Sequence, residues 1–179
     1  QITGDEEFNE VFFDSVFVPE ELIVGEVGQG WSIAISTLMF ERVILTFARH
    51  IQSEGILRTI LKSDRSKLSP KNQDKLAECI TELCAVRALA YEHLAQYANG
   101  KAPGAEGSLD KLLWSESFQK LSALAMEISM ESGENSFESI QRYLYSRGRT
   151  IAAGTSEIQR NIIAERVLDL PRLQAVRNG

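Results

Sequence analysis

The chain has 179 residues, 44% of them hydrophobic and 25% charged, which is enough for one domain with its own core. Nineteen Lys and Arg against 25 Asp and Glu leave a net charge of −6, which argues against non-specific nucleic-acid binding. No apolar run approaches a membrane span, no signal peptide is visible, and His50 and His93 lack the clustering a metal site needs.

The first 24 residues read differently from the rest. In EFNEVFFDSVFVP, Phe8, Val11, Phe13, Val16 and Val18 give a strand-like pattern that Pro19 ends. A strand pair is not stable by itself. Residues 1–24 are therefore expected to belong to a fragment, or to be strands that complete a sheet absent here. Gln1 is not a start residue, which fits a fragment.

From Gly25 onward the pattern is helical. Gly28-Gln29-Gly30 punctuates the entry, and a long helix is predicted from about Trp31 to Lys62, followed by a polar loop from Ser63 to Ser69. Pro70 suits the first turn of a second helix, whose Leu76, Ile80, Leu83, Arg87, Ala90, Leu94 and Tyr97 form a stripe at spacings of four and three. Arg87 lies on that stripe, either as a ligand-binding arginine or as a packed stem whose head pairs with a carboxylate such as Glu116. Cys79 and Cys84, five apart, point to different faces and suit two reduced thiols. Asn99-Gly100 ends this helix and KAPGAEG links it to the next. The third helix starts near Ser108 and buries Leu112, Leu113, Phe118, Leu121, Leu124, Ala125 and Ile128, until Gly133-Glu134-Asn135 breaks it. A shorter helix spans 137–149. Long helices with short loops predict a mainly α fold over 25–179, an up-and-down four-helix bundle with additional C-terminal helices.

One charged residue of the first helix is out of place. Arg42, Thr46, Arg49, His50 and Ser53 share one polar arc, but Glu41 falls among Ala34, Thr37, Leu38, Leu45 and Ala48. A carboxylate on such a face loses hydration, which suits proton exchange near neutral pH. The pattern equally fits a structural carboxylate paired across the bundle.

The last segment, TIAAGTSEIQRNIIAERVLDLPR, runs from a small-residue turn into a helix. Ser156 with Gln159 reads as a capping box, and Glu157 stands where the helix dipole favours negative charge. Such an N-terminus can offer N–H groups to an anion, or can simply be a capped helix.

The ordered runs FNEVFFDSVFVPEELIVGEVGQGW and IAAGTSEIQRNIIAERVLDLPR, with Phe-Glu-Arg between them, resemble the C-terminal part of an acyl-CoA dehydrogenase over essentially the whole chain. The resemblance implies the last strands of a middle β-domain followed by a helical bundle. It implies FAD as cofactor, an acyl-CoA thioester as substrate, and a glutamate that removes the α-proton while the β-hydride passes to flavin, giving a trans-2-enoyl-CoA. Electron-transfer flavoprotein is the implied acceptor, in a homotetramer or a heterotetramer with a related subunit. The implied location is cytoplasmic in a bacterium or the mitochondrial matrix in a eukaryote, with no membrane span and no nucleic-acid partner.

Many members carry the base directly before the Gly-Thr of the terminal motif, where this chain has Ala153. A minority, the isovaleryl- and long-chain-type dehydrogenases, place it before the arginine of the first bundle helix, which here is Glu41 before Arg42. The same matching puts Met39 and Arg42 in the segment lining the acyl-CoA site, Ala153 and Gly154 beside the thioester, and Thr155, Ser156 and Glu157 against FAD. Two departures stand out. An Arg-x-x-Phe-Gly segment that reaches a neighbouring subunit's flavin is replaced by KSDRSKLSPKNQDKLAE, and a Gln-x-x-Gly-Gly-x-Gly segment by SMESGENSFES. They leave open a non-catalytic subunit of a heteromeric dehydrogenase, or a helical oligomerisation module for the chain as it stands. Asp169 also takes a place where glycine is common.

Overall fold

The computed structural model describes residues 1–172 except 64, 65, 67, 134 and 135, with the side chains of 42–46 also outside the description. Five helices follow one another: α1 (Gly30–Lys62), α2 (Pro70–Ala98), α3 (Gly107–Glu131), α4 (Phe137–Arg149) and α5 (Ser156–Arg166). Their ends follow local chemistry. Ser69 caps α2 by accepting from the Asn72 N–H at 3.3 Å, with Pro70 in the first turn, and Ser136 caps α4 by accepting from the Ser139 N–H at 3.2 Å. The bundle is the expected one, to within a residue at most boundaries.

The expected β segment does not form. Among the described residues there is no strand, and 1–24 is irregular apart from a single 3₁₀ turn at Glu20–Leu22. Phe8, Phe13 and Val16 are exposed, so the alternation has no partner strand to pair with and no layer to pack on.

α3 is the centre of the fold, since α1, α2, α4 and α5 all pack against it. It is buried on most of its circumference: Phe118, Leu121 and Leu124 are sealed in the core, with Ser108, Ser115 and Ser122 beside them. Trp114 stacks on Phe118 at 5.4 Å between ring centroids, and the Arg49 guanidinium lies 4.9 Å from the Trp114 ring. Against this helix α1 contributes Ile56 and Ile60, and α2 contributes Leu76, Cys79, Leu83 and Val86. Burying each large side chain is worth about 1.5–3 kcal/mol.

The stripe on α2 is half as predicted. Leu76, Leu83 and Ala90 face inward, but Cys79, Val86 and His93 alternate with them in place of Ile80, Arg87 and Leu94. Arg87 is therefore not a core arginine. Its head pairs at 3.3 Å with Glu54 on α1 rather than with Glu116, which pairs with Arg160 at 2.6 Å. Of the polar arc of α1, His50 and Ser53 are buried, with His50 Nε2 3.5 Å from a Glu54 carboxylate oxygen, while the Arg42 and Thr46 side chains lie outside the described residues.

Two titrating groups in this core give measurable consequences. Burial pushes the Cys79 thiol up to about 11, whereas Cys84 is exposed. A maleimide should therefore label Cys84 in the native chain and reach Cys79 only after unfolding, as read by peptide mass spectrometry. Asp110 and His93 share a buried hydrogen bond of 2.8 Å between Oδ2 and Nδ1. Burial raises the Asp110 carboxyl more than the His93 contact lowers it. A raised folded-state value means that stability falls as pH rises from the unfolded value near about 3.9 through the folded one. Asp110→Asn should remove that decline, so urea titrations between about pH 4 and 7 should show the variant gaining on the native chain as pH rises. Parallel curves would contradict this.

Candidate functional site

The terminal turn joining α4 to α5 is built from residues of three helices. Thr150 and Ala152 close the end of α4, with the Ala152 N–H donating to Gly148 O at 2.9 Å. Ala153 and Gly154 then both take left-handed backbone, with φ of 57° and 97°. For alanine this costs about 1–2 kcal/mol, which the surroundings must offset. They do so with buried donors. Gln159 on α5 donates through Nε2 to Ala153 O at 3.0 Å and to Gly154 O at 3.3 Å, and Lys111 on α3 donates through Nζ to Gly154 O at 2.7 Å. On the α4 side, Gln119 Nε2 donates to Thr150 Oγ1 at 2.8 Å and to Ser146 O at 3.2 Å.

The N-terminus of α5 differs by one residue from the expected capping box. Thr155 is the cap, its Oγ1 accepting from the Ile158 N–H at 3.3 Å, while Ser156 is the first helical residue. Gln159 does not reach back to the cap but turns under the turn to hold the two carbonyls. Ser156 is buried, and its Oγ has no partner among the described residues. Glu157 is exposed, and its carboxyl is held below the usual carboxylate range by its own backbone N–H and then by the Thr155 hydroxyl. Ala153, Gly154, Thr155, Ser156 and Glu157 thus form one continuous stretch whose first two carbonyls are held by side-chain donors, with Ala153 exposed. Asp169 also has left-handed backbone, φ 51°, which explains why glycine would suit that position.

Met39, Glu41 and Arg42 lie elsewhere, on the N-terminal half of α1. Met39 is half-buried and Glu41 exposed; the Arg42 side chain lies outside the described residues. Among the described residues no hydrogen bond or ion pair joins Glu41 to the terminal turn. The expected desolvation of Glu41 is not met by this chain's own residues: Ala34, Thr37, Leu38 and Ala48 are exposed with it. The reason is where α1 enters the bundle. Among the described residues of α1, burial begins at His50, about 13 Å along the helix from Glu41. Before that point Trp31, Leu38 and Phe40 are exposed apolar side chains, Leu38 and Phe40 within one turn of Glu41.

A cavity lies at the other end of α1. It is a groove of about 930 Å³ lined by Ile56, Ile60, Ser63, Leu68, Ser132, Ser136 and Arg142, among others. Ser63 and Leu68 from the segment KSDRSKLSPKNQDKLAE and Ser132 and Ser136 from SMESGENSFES therefore line one groove.

Lys111 is the residue that sequence reading missed. Its signal was a charged residue on the buried stripe Ser108, Lys111, Ser115, Phe118, Ser122, where only a held ammonium fits. The turn itself makes a direct test. A Cβ on Gly154 would come within 2.4 Å of Gln159 Nε2, at a backbone angle that alanine disfavours. Gly154→Ala should cost on the order of 2 kcal/mol by urea titration. An unchanged midpoint would show that the turn is not held as described.

Residues 28–168 match the family model for the acyl-CoA dehydrogenase C-terminal domain. Acyl-CoA dehydrogenase IpdE1 of Mycolicibacterium smegmatis is 40% identical over 182 residues, 96% of this chain and 45% of that protein. Acyl-CoA dehydrogenase FadE34 of Mycobacterium tuberculosis is 38% identical over 175 residues, again 96% of this chain but 24% of that protein. The chain thus spans less than half the length of these relatives. Its fold is also that of glutaryl-coenzyme A dehydrogenase in its glutaryl-CoA complex, with a TM-score of 0.78 at 24% identity, over 89% of this chain and 43% of that one. Among the described residues no helix is long and apolar enough to cross a membrane. With the helical bundle, the held Gly-Thr-Ser-Glu turn and the family match in agreement, the chain belongs to the acyl-CoA dehydrogenase family and carries its C-terminal domain.

Proposed function

We propose that this chain is the C-terminal part of an FAD-dependent acyl-CoA dehydrogenase in which Glu41 removes the α-proton of a bound acyl-CoA thioester. The observation that carries the reading is the exchange of roles between two positions. Ala153, at the exposed tip of the terminal turn, has no group that can take a proton, whereas Glu41 is a carboxylate beside an uncovered apolar surface on α1. Covering that surface with the remaining domains and an acyl chain would desolvate Glu41 and raise its proton affinity.

The residues present suit FAD at the terminal turn. Thr155 and Ser156 open α5 with N–H groups and hydroxyls, and the buried Ser156 Oγ lacks a partner among the described residues. Thr155, Ser156 and Glu157 would hold the cofactor, and Met39, Arg42, Ala153 and Gly154 would line the acyl-CoA site. Bound there, FAD supplies an acceptor for the β-hydride. The α-proton goes to the Glu41 carboxylate, the pair of electrons leaves with the hydride, and a trans-2-enoyl-CoA remains. Electron-transfer flavoprotein is the proposed acceptor of those electrons. Domain boundaries at 1–24 and 25–179 belong to the same proposal, with the exposed Phe8, Phe13 and Phe17 completing a β-domain.

A second reading has its own observation. Two segments that depart from the family's pattern, one of them the segment that in other members reaches a neighbouring subunit's flavin, contribute residues to one groove in this chain. That favours a subunit that works beside a related, differently equipped one. Exposed Phe137, Ile151, Ile158 and Leu170 on and around α4 and α5 offer apolar surface for homotetramer or heterotetramer packing. A full-length protein that is yellow and bleached by acyl-CoA on its own supports the homomeric enzyme; one that needs a related subunit for flavin supports the heteromeric form.

The base assignment is tested in the full-length protein. Glu41→Gln should keep FAD bound but slow flavin bleaching by acyl-CoA at least about 100-fold, the range expected for loss of a general base. Bleaching at the normal rate would sink the assignment.

A further inference from the structure

A lysine ammonium is seldom buried, because desolvating the charge is costly unless acceptors hold it. Lys111 is 5% exposed, and its Nζ sits 2.7 Å from Gly154 O. That carbonyl belongs to the second of two consecutive left-handed residues, and the carbonyl of the first, Ala153, accepts from Gln159. Left-handed alanine persists only where its surroundings over-determine it. Here two buried side chains do so, one from α5 itself and one from the central helix. The turn's carbonyls are thereby drawn inward while Ala153 stays exposed. Thr155 follows directly and caps α5. The Gly154 peptide therefore sets the direction in which the first N–H groups of α5 leave the turn.

We propose that Lys111 is the positioning residue of the terminal turn: its ammonium, fixed on α3, holds the Gly154 peptide so that residues 153–157 keep the geometry that thioester and flavin require. This rests on the assignment of the turn to those two ligands. In this proposal Lys111 acts through the Gly154 peptide. Gln159 alone does not suffice, because it sits on the element being positioned and would move with it. Among the side-chain bonds of the described residues, those of Lys111 and Gln119 tie the segment 150–154 to α3, and Gln119 reaches the α4 side. The charge strengthens the bond, since a hydrogen bond from an ionised donor is roughly twice as strong as a neutral one.

The test uses the full-length flavoprotein with Lys111→Met, Lys111→Gln and Lys111→Arg. Steady-state turnover of acyl-CoA with an artificial electron acceptor, the flavin absorption band and the melting temperature are read together. Lys111→Met should lower kcat about tenfold or more and shift the flavin band. Lys111→Arg should recover most of kcat whatever its melting temperature. If Lys111→Met does not fold, Lys111→Gln, which keeps a neutral donor, carries the same comparison and should fall between the other two. A lowered melting temperature with unchanged kcat and flavin band would make Lys111 merely structural and overturn the proposal. A wild-type protein that binds no flavin and oxidises no acyl-CoA would instead overturn the assignment of the turn, and this inference with it. A wild type that turns over while Lys111→Met matches it overturns the positioning claim alone.

Discussion

The fold depends on keeping α3 buried from nearly every side. A helix with four helical neighbours has little solvent to satisfy its polar groups, so its long polar side chains must find protein partners. Two features of α3 answer to that constraint. Serines at 108, 115 and 122 let the neighbouring helices approach, and the longer polar groups reach across to other elements. Asp110 reaches His93 on α2, while Lys111 and Gln119 reach the turn between α4 and α5. The same constraint that builds the core thus anchors the turn, which could not hold two left-handed residues on local preference alone.

This arrangement separates rigidity from chemistry. The terminal turn is over-determined, with side-chain donors on its carbonyls and a capped helix directly after it. Residues 30–41 of α1 are the opposite: mostly exposed, with Trp31, Leu38 and Phe40 uncovered and Glu41 exposed after them. Apolar side chains left uncovered on several faces of a helix suit it to be covered by other elements. In the proposed reading, the tied turn is the wall of the site and Glu41 the base whose environment the remaining domains complete.

How much of this could be read beforehand follows from which interactions are local. Helix extents were legible because Pro70, Asn99-Gly100 and the serine caps act within a turn of their own positions. Glu41 stood out because a charge breaks periodicity wherever it falls. The face of α2 was read half wrong, because spacings of four and three fit two adjacent stripes and only the packing partner decides between them; His93 enters the core because Asp110 awaits it on α3. The strand pattern at 8–18 was legible as a tendency but not as a structure, since strands need partners that these residues lack. Lys111 was legible only as a charge on the buried stripe of α3. Its acceptor lies 43 residues away, and nothing in the local pattern points to that partner.

The central claim is that the α-proton is taken by Glu41 on α1 and not by any group of the terminal turn. Exchange of the α-hydrogen of bound acyl-CoA with heavy water, followed by mass spectrometry in the full-length protein without an electron acceptor, reads that step alone. Exchange should proceed in the wild type and disappear when Glu41 is replaced by glutamine. Exchange that continues undiminished without the Glu41 carboxylate would contradict the account.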